Sequence, residues 1–342
     1  MSLSKEKREQ ILTFIQENVR EHPRDIVRLT REQFQLTNTT VLRYMQALCD
    51  QGKIEAKGKT KDREYAPVVL VDFSKKVPLD TDTEEGRLWL EVSPYLKDLP
   101  ENVYRICQYG FTEMVNNAIE HSEGENMIID LEKYFDQVIL RVLDDGVGIY
   151  NKIQEQYHLD DPLHSILELS KGKVTTDPEN HTGEGIFFTS RMFDWFGIFS
   201  GNANFVHSED GFDVLFPKTE NEPGTMITMQ ISTTSTRATL QIFSQYTDEE
   251  SDYGFNKTIV PVNLATYGDD QLVSRSQAKR LLTRFDRFKQ VVLDFKDVKL
   301  IGQAFADEIF RVFKSANPEV TISYINTEKP VEEMILHVLE SK

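Results

Sequence analysis

This chain has very little cysteine and no long apolar run. Its 342 residues hold two cysteines, Cys49 and Cys107, which lie in helical patterns and are predicted to be reduced, buried thiols. The spacing of zinc ligands is missing, which excludes a zinc site of the usual kind. No apolar stretch approaches the roughly 20 residues that span a bilayer, and the first residues lack the apolar segment of a secretory signal. We therefore expect a cytoplasmic protein without a membrane partner.

Positive charge is also scarce, but it is unevenly distributed. The net charge of −17 excludes a protein that coats nucleic acid along its whole length. Residues 1–66 nevertheless hold 13 Lys and Arg against 10 Asp and Glu, so this segment carries +3 and the rest carries −20. A basic end on an acidic chain is typical of a nucleic-acid-binding module.

A polar stripe runs along one predicted helix near the middle of the chain. At about 100° per residue, Glu113, Asn116, Asn117 and Glu120 fall on one arc. The opposite arc is apolar and consists of Cys107, Phe111, Met114, Val115 and Ala118. A carboxylate can take a proton from water or a hydroxyl, and an amide oxygen suits Mg²⁺. On this helix alone, the solvated face of an ordinary amphipathic helix is the favoured interpretation.

A glycine-rich turn follows a predicted strand. The segment Gln137–Leu143 is expected to be a largely buried strand that ends at Asp144, and Gly146, Gly148 and Ile149 come directly after it. Glycine permits positive φ and lets a ligand approach the backbone closely. An aspartate before such a turn can accept a hydrogen bond from an exocyclic amine, although a plain Asp-Gly hairpin turn has the same pattern.

A second glycine pair, in Gly183-Glu184-Gly185, leads into an apolar helical pattern. A helix N-terminus offers free N–H groups and a partial positive charge, which suit a phosphate. The stretch before it, about residues 150–180, is polar and is expected to be irregular, which is typical of a functional lid or a disordered segment. Lys171 or Lys173 could reach a phosphate from there, although most such lysines are simply solvated.

These segments together resemble the GHKL ATPase superfamily of gyrase, heat-shock chaperones, histidine kinases and anti-sigma-factor kinases. The resemblance covers about residues 88–232 and includes a Gly-Thr closing strand at Thr225. It implies a Bergerat α/β sandwich that binds ATP and Mg²⁺, with Glu113 as general base, Asn117 as metal ligand and Asp144 as the reader of the adenine amino group. The other implied nucleotide-binding residues are His121, Gly146, Gly148, Ile149, Gly183, Glu184, Gly185 and Thr225.

Residues 1–66 are predicted to form a separate module. Helical spacing favours helices around Lys5–Arg20, Arg28–Gln35 and, after a Thr37 N-cap, from Val41 onward. A β-hairpin with a basic tip is expected over Lys53–Tyr65. This order resembles a winged helix-turn-helix, which implies DNA binding; dimerisation or protein contact is the alternative. The residues implied to contact bases or phosphates are Asn38, Thr39, Thr40, Arg43, Lys57, Lys59, Lys61 and Arg63.

The C-terminal residues 255–342 alternate strand and helix patterns, which predicts an α/β layer. The segment Leu293–Phe305 resembles the STAS fold of anti-sigma-factor antagonists, which carry a phosphorylatable serine at the start of the following helix. Here that place holds Gly302, Gln303 and Ala304, and no Ser or Thr occurs from 295 to 314. The resemblance therefore implies a partner surface or internal regulator rather than a phosphorylated switch.

The sequence thus predicts an α+β multidomain protein. Its expected parts are a winged helix over 1–66, a linker over 67–87, a GHKL domain over 88–246 and a STAS-like domain over 255–342. Three functions stay open: an ATP-dependent switch in transcriptional regulation, an anti-sigma-type protein serine kinase, and a nucleotide-binding scaffold without turnover. A histidine autokinase is disfavoured, because residues 67–100 are too short and too rich in proline for its helical hairpin. A homodimer is the default for a winged-helix protein.

Overall fold

The computed structural model describes residues 4–59, 62–159, 161–175, 182–208, 213–247, 254–266 and 271–340. Within these residues the chain combines helices with a two-stranded, a five-stranded and a three-stranded sheet. This arrangement confirms the predicted α+β architecture.

The N-terminal module consists of three helices and a hairpin. Their bounds are α1 Lys5–Asn18, α2 Ile26–Phe34, α3 Asn38–Asp50, β1 Ile54–Lys57 and β2 Glu64–Pro67. The N-cap predicted at Thr37 is confirmed, because its side chain accepts a hydrogen bond from the Thr40 N–H. The apolar residues of all three helices and of both strands meet in one small core, against which Phe135 of the next region also packs.

The central region is built on a five-stranded antiparallel sheet. Its strands, in the spatial order β3-β4-β5-β7-β6, are β3 Val71–Pro78, β4 Asn126–Lys133, β5 Gln137–Asp144, β6 Trp195–Ser208 and β7 Asp213–Ser232. The helices of this region are α4 Glu85–Val92, α5 Glu101–His121, α6 Ile149–Tyr157, α7 Pro162–Lys171, α8 Gly185–Met192 and α9 Thr239–Gln245. The apolar arc of α5 is buried, as its periodicity predicts.

Two expectations for this region were wrong. The linker expected over 67–87 contains β3, which pairs antiparallel with β4 from Val71–Lys133 to Pro78–Asn126. Alternate residues of β3 turn toward the core, so this segment extends the sheet instead of connecting two bodies. The stretch expected to be irregular contains α6 and α7, because its apolar residues Ile153, Ile166 and Leu169 are buried in the main core.

The C-terminal region is a parallel three-stranded sheet with helices. Its strands lie in the order β10-β9-β8, and its elements are β8 Lys257–Pro261, α10 Arg275–Leu282, β9 Gln290–Asp294, α11 Gln303–Asp307, α12 Lys314–Ala316, β10 Thr321–Ile325 and α13 Lys329–Glu340. A π-helical turn, Glu308–Phe313, joins α11 to α12. A capping box at Ser274 begins α10, which ends earlier than its apolar pattern suggests.

The central and C-terminal regions share one continuous hydrophobic core. Aromatic rings form its junction: Phe187 and Phe188 of α8 lie 4.7 and 5.0 Å from the Phe255 ring, which lies 5.4 Å from Phe288. The N-terminal module instead contacts the turn between β4 and β5. There the Arg20 guanidinium lies 4.4 Å from the Tyr134 ring centre.

Candidate nucleotide-binding site

A cavity of about 310 Å³ lies between α5, the end of β5 and the segments that flank α6 and α8. It brings together ten of the eleven residues that the sequence assigned to catalysis or nucleotide contact, all but Gly146. The ten that line it are Glu113, Asn117, His121, Asp144, Gly148, Ile149, Gly183, Glu184, Gly185 and Thr225. Segments more than 100 residues apart in the chain therefore converge on one space. Its size falls in the range of small-molecule sites.

Asp144 forms one wall of this cavity. It is the last residue of β5, its side chain is buried, and its Oδ1 accepts hydrogen bonds from the N–H groups of Gly146 at 3.0 Å and Thr225 at 3.2 Å. Both bonds end on Oδ1, and among the residues that the structure describes no donor is bonded to Oδ2. Burial raises the pKa of the Asp144 carboxyl, and the two backbone hydrogen bonds partly offset this rise.

Glycines shape the backbone around Asp144. Gly146 does not line the cavity, but a side chain there would overlap the Ser122 carbonyl oxygen, so the turn needs a glycine. Gly148 has φ +85° and directly precedes α6. This conformation lets the N–H of Ile149, the first residue of α6, donate to Thr225 Oγ1 at 2.9 Å. Thr225, one of the implied nucleotide-binding residues, thus ties the start of α6 to β7.

Asn117 presents an unsatisfied polar atom at the cavity. Its side chain lines the cavity one turn along α5 from Glu113, and its Nδ2 is buried without a hydrogen-bond partner. Rotation of the amide exchanges its nitrogen and oxygen, so the same position can present an oxygen to a cation. Among the described residues, no three His, Cys, Asp or Glu side chains are arranged to hold a metal ion. A Mg²⁺ ion that is held mainly by substrate phosphates and waters needs only one or two oxygen ligands from the protein, and the amide oxygen of Asn117 can be one of them.

The opposite wall carries Glu113, Glu184 and the second glycine pair. A side chain on Gly185 would overlap Glu113 Oε2, so the glycine allows α8 to begin beside the carboxylate. Burial, Glu113 and Glu184 together raise the pKa of the Tyr109 hydroxyl. Burial also raises the pKa of Glu184, which Lys173 counteracts. The N-terminus of α8 thus opens into the cavity next to a candidate base.

Lys152 is a cavity residue that the sequence did not single out. It lies on α6, lines the cavity, and its Nζ donates to the His121 carbonyl and to Glu123 Oε1, each at 2.7 Å. Because the surrounding stretch was expected to be irregular, no periodicity placed this lysine on an inward face. It supplies a cation at a site that is also lined by the carboxyl groups of Glu113, Asp144 and Glu184.

Both interpretations of Lys171 were wrong, because this side chain is buried in an ion pair, whereas Lys173 is half-buried. Lys171 is fully buried and bonds Glu168 Oε1 at 2.6 Å. Lys173 Nζ donates to the Arg287 carbonyl at 2.9 Å and lies 4.8 Å from the Phe288 ring centre. Both lysines therefore contact the C-terminal region.

Comparison with known proteins identifies one region of the chain. Residues 277–332 match a family described as "STAS-like domain of unknown function (DUF4325)". The chain carries a C-terminal STAS-like domain. Within it, Gly302 directly precedes α11, at the place where the resemblance implied a phosphorylated serine.

The chain is also similar to several bacterial sensor proteins. It is 29% identical over 105 residues to the sensor protein VraS of Staphylococcus saprophyticus. It is 26% identical over 103 residues to that of Staphylococcus aureus and over 105 residues to that of Staphylococcus haemolyticus. Each match covers 30% of this chain and spans 27% of the relative's length.

The residues implied to contact DNA lie on the surface of the N-terminal module. Asn38, Thr39 and Arg43 are exposed at the start of α3, and Thr40 is partly buried. In the hairpin, Lys57 and Lys59 are exposed, but Lys57 Nζ lies 2.7 Å from Glu55 Oε1, which raises the pKa of Lys57. Lys61 lies outside the described residues. In the described ranges, no helix is both long and apolar enough to cross a membrane.

Proposed function

We propose that this protein is an ATP–Mg²⁺-binding GHKL-type ATPase that acts as a nucleotide-dependent switch in transcriptional regulation. The observation that carries the proposal is the Asp144 carboxyl group, which is buried at the cavity. Its Oδ1 accepts two backbone hydrogen bonds, and its Oδ2 accepts none from the part of the chain that the structure describes. An adenine amino group supplies the donor that this oxygen lacks. Asn117 and the N-terminus of α8 supply the partners that Mg²⁺ and phosphates require.

Replacing Asp144 by asparagine tests this proposal. The amide keeps an acceptor for the N–H groups of Gly146 and Thr225, but it presents NH₂ instead of oxygen to the adenine amino group. The NH₂ group of the new amide and the adenine amino group are both donors, so their hydrogen bond is lost and a donor is left unpaired. ATP affinity should therefore fall by about 10- to 100-fold. Asp72→Asn is the matched control, because Asp72 is exposed on β3. Titration calorimetry that finds equal ATP affinity in wild type and Asp144→Asn contradicts the assignment.

Glu113 decides what happens to the bound nucleotide. Its carboxylate stands beside Gly185 at the start of α8, where a base could activate water or a hydroxyl. A slow ATPase uses water as the acceptor. The STAS-like neighbour favours an anti-sigma-type serine kinase as the second candidate, whose acceptor would be a hydroxyl outside residues 295–314. If Glu113 has no effect on turnover, the scaffold without turnover replaces both.

DNA binding by the N-terminal module completes the proposed switch. An exposed Arg43 on α3 can reach guanine edges, while the hairpin lysines can lie along phosphates. With a net charge of only +3 on residues 1–66, non-specific binding should be weak and should fall steeply with salt. Electrophoretic mobility shifts with the full chain measure this. Arg43→Ala should alter sequence preference, whereas Lys59→Ala should weaken binding to all duplexes alike.

A further inference from the structure

Three charged side chains are buried together where α7 meets the STAS-like domain. Glu168 and Lys171 lie on α7, Arg284 follows α10, and their side chains are 3%, 1% and 9% exposed. Lys171 Nζ lies 2.6 Å from Glu168 Oε1, and Arg284 Nη1 lies 3.0 Å from Glu168 Oε2. One carboxylate therefore bridges two cations in the protein interior, an arrangement that costs desolvation on all three groups.

Backbone carbonyls of both regions accept hydrogen bonds from the two cations of this cluster. Lys171 Nζ donates to the carbonyls of Arg280 at 3.2 Å and Thr283 at 3.0 Å, both in the STAS-like domain. In the opposite direction, Arg284 Nη2 of the STAS-like domain donates to the carbonyl of Lys173, which lies just after α7. A guanidinium can hold a carboxylate and a carbonyl at once because its donors are arranged as a rigid fork. The two regions are thus joined by reciprocal bonds.

The conformation of Arg284 is itself unfavourable. Its backbone has φ +63°, in the left-handed region that side chains rarely adopt. Its Nε is buried without a hydrogen-bond partner. A residue held with backbone strain and an unsatisfied donor needs a compensating role, and such positions cluster at functional sites.

The segment that Arg284 holds leads directly to the candidate nucleotide cavity. The next residues after Lys173, Val174 and Thr175, line the cavity. The Val174 N–H donates to the Gly183 carbonyl at 3.1 Å, and Gly183 belongs to the glycine pair at the N-terminus of α8. Movement of the Lys173 carbonyl would therefore shift the wall of the cavity on the side where phosphate is expected.

We propose that Arg284 of the STAS-like domain is a positioning residue for the phosphate side of the nucleotide site. It fixes the strap formed by residues 172–175 and, through Val174, the turn at Gly183. This inference rests on the proposed ATP function. Because linkage is reciprocal, the docked position of the STAS-like domain favours nucleotide binding, and bound nucleotide favours that position to the same degree.

Variants of Arg284 test this role. Arg284→Lys keeps a cation for Glu168 but loses the fork, so ATP affinity should fall about tenfold while the melting temperature stays near that of wild type. Arg284→Ala should lower ATP affinity at least as much. Adenosine, which lacks phosphates, should bind wild type and Arg284→Lys alike. Arg311→Ala is the control, because Arg311 is an exposed arginine of the same domain whose guanidinium pairs with Asp307. Unchanged ATP affinity in both Arg284 variants overturns the proposal, as does an equal loss for adenosine.

Hydrogen–deuterium exchange provides a readout that needs no nucleotide. In the nucleotide-free full chain, Arg284→Lys should accelerate exchange of residues 172–175 and of Gly183, and leave α13 unchanged. Exchange that is unchanged in the strap, or that rises equally throughout the chain, overturns the positioning role. Faster exchange in the strap together with no ATP binding by wild type supports that role for this cavity wall and refutes the proposed ATP function instead.

Discussion

Replacing Asn117 by alanine should stabilise the nucleotide-free protein while weakening the binding of Mg²⁺–ATP. The Nδ2 atom of Asn117 is buried at the cavity without a partner. Such a donor costs about 1–3 kcal/mol of folding free energy, and alanine also has the higher helix propensity. Because the side chain lines an open cavity, its removal leaves no sealed void that would offset this gain.

We expect a net stabilisation of about 1 kcal/mol, which raises the melting temperature by about 2–4 °C for a domain of this size. Differential scanning fluorimetry without nucleotide measures it. Gln108→Ala is the matched control, since it removes an exposed amide from the same helix and should change stability little. The helix register and the rest of the cavity stay the same in both variants.

The binding half of the prediction uses calorimetric titration with ATP in the presence of Mg²⁺ or of a chelator. Wild type should bind ATP more tightly with Mg²⁺, and Asn117→Ala should lose most of that difference because it lacks the amide ligand. A variant that melts below Gln108→Ala refutes the reasoning about the unsatisfied donor. Full retention of the Mg²⁺ effect refutes the role of Asn117 as a metal ligand.

Further predictions concern catalysis, pH and phosphorylation. Glu113→Gln should bind ATP like wild type but lower phosphate release by about 10²- to 10⁴-fold, the usual contribution of a general base; a coupled phosphate assay that shows equal rates contradicts this. Because burial raises the pKa of Asp144 in the folded state, its contribution to stability is greatest below the unfolded pKa and is lost as pH rises through the folded pKa. ATP affinity should instead weaken as the pH falls, and the decline should begin above the pH range in which an aspartate ordinarily titrates. If the ATP affinity of Asp144→Asn has the same pH dependence in titrations, Asp144 is not the group responsible. After incubation with ATP, mass spectrometry should find no phosphoserine or phosphothreonine within residues 295–314, where neither amino acid occurs.

Short-range patterns in the sequence were sufficient for the elements that form the cavity. The period of α5 placed Glu113 and Asn117 opposite a buried arc, and the run Gln137–Leu143 predicted the strand that ends at Asp144. These features depend on side-chain direction within one helix turn or one strand, which covalent geometry fixes locally. Gly148 also predicted the turn after this strand from local geometry, because few residues other than glycine adopt a positive φ.

The ends of elements were predicted less well, because single residues override the pattern. Helix α10 stops at Leu282 although the apolar pattern of its segment continues through Phe285 and Phe288, and Arg284 adopts a left-handed conformation. The apolar residues on both sides remain buried, so hydrophobic periodicity gave no sign of the break. Strand β3 was likewise missed, since its partner residues in β4 lie 48 to 62 residues further along the chain, from the pair Pro78–Asn126 to the pair Val71–Lys133.

The partners of charged side chains were decided by the tertiary structure alone. From the sequence, Lys171 was a solvated lysine or a phosphate ligand, yet it is buried against Glu168 and carbonyls more than 100 residues away. Lys152 lies at the cavity, where its Nζ donates to the carbonyl of His121, the last residue of α5. The sequence by itself determined which faces are apolar and which turns need glycine, because those follow from neighbours in the chain. Which charges meet depends on how the regions pack, since desolvation and pairing are set by atoms that only folding brings close.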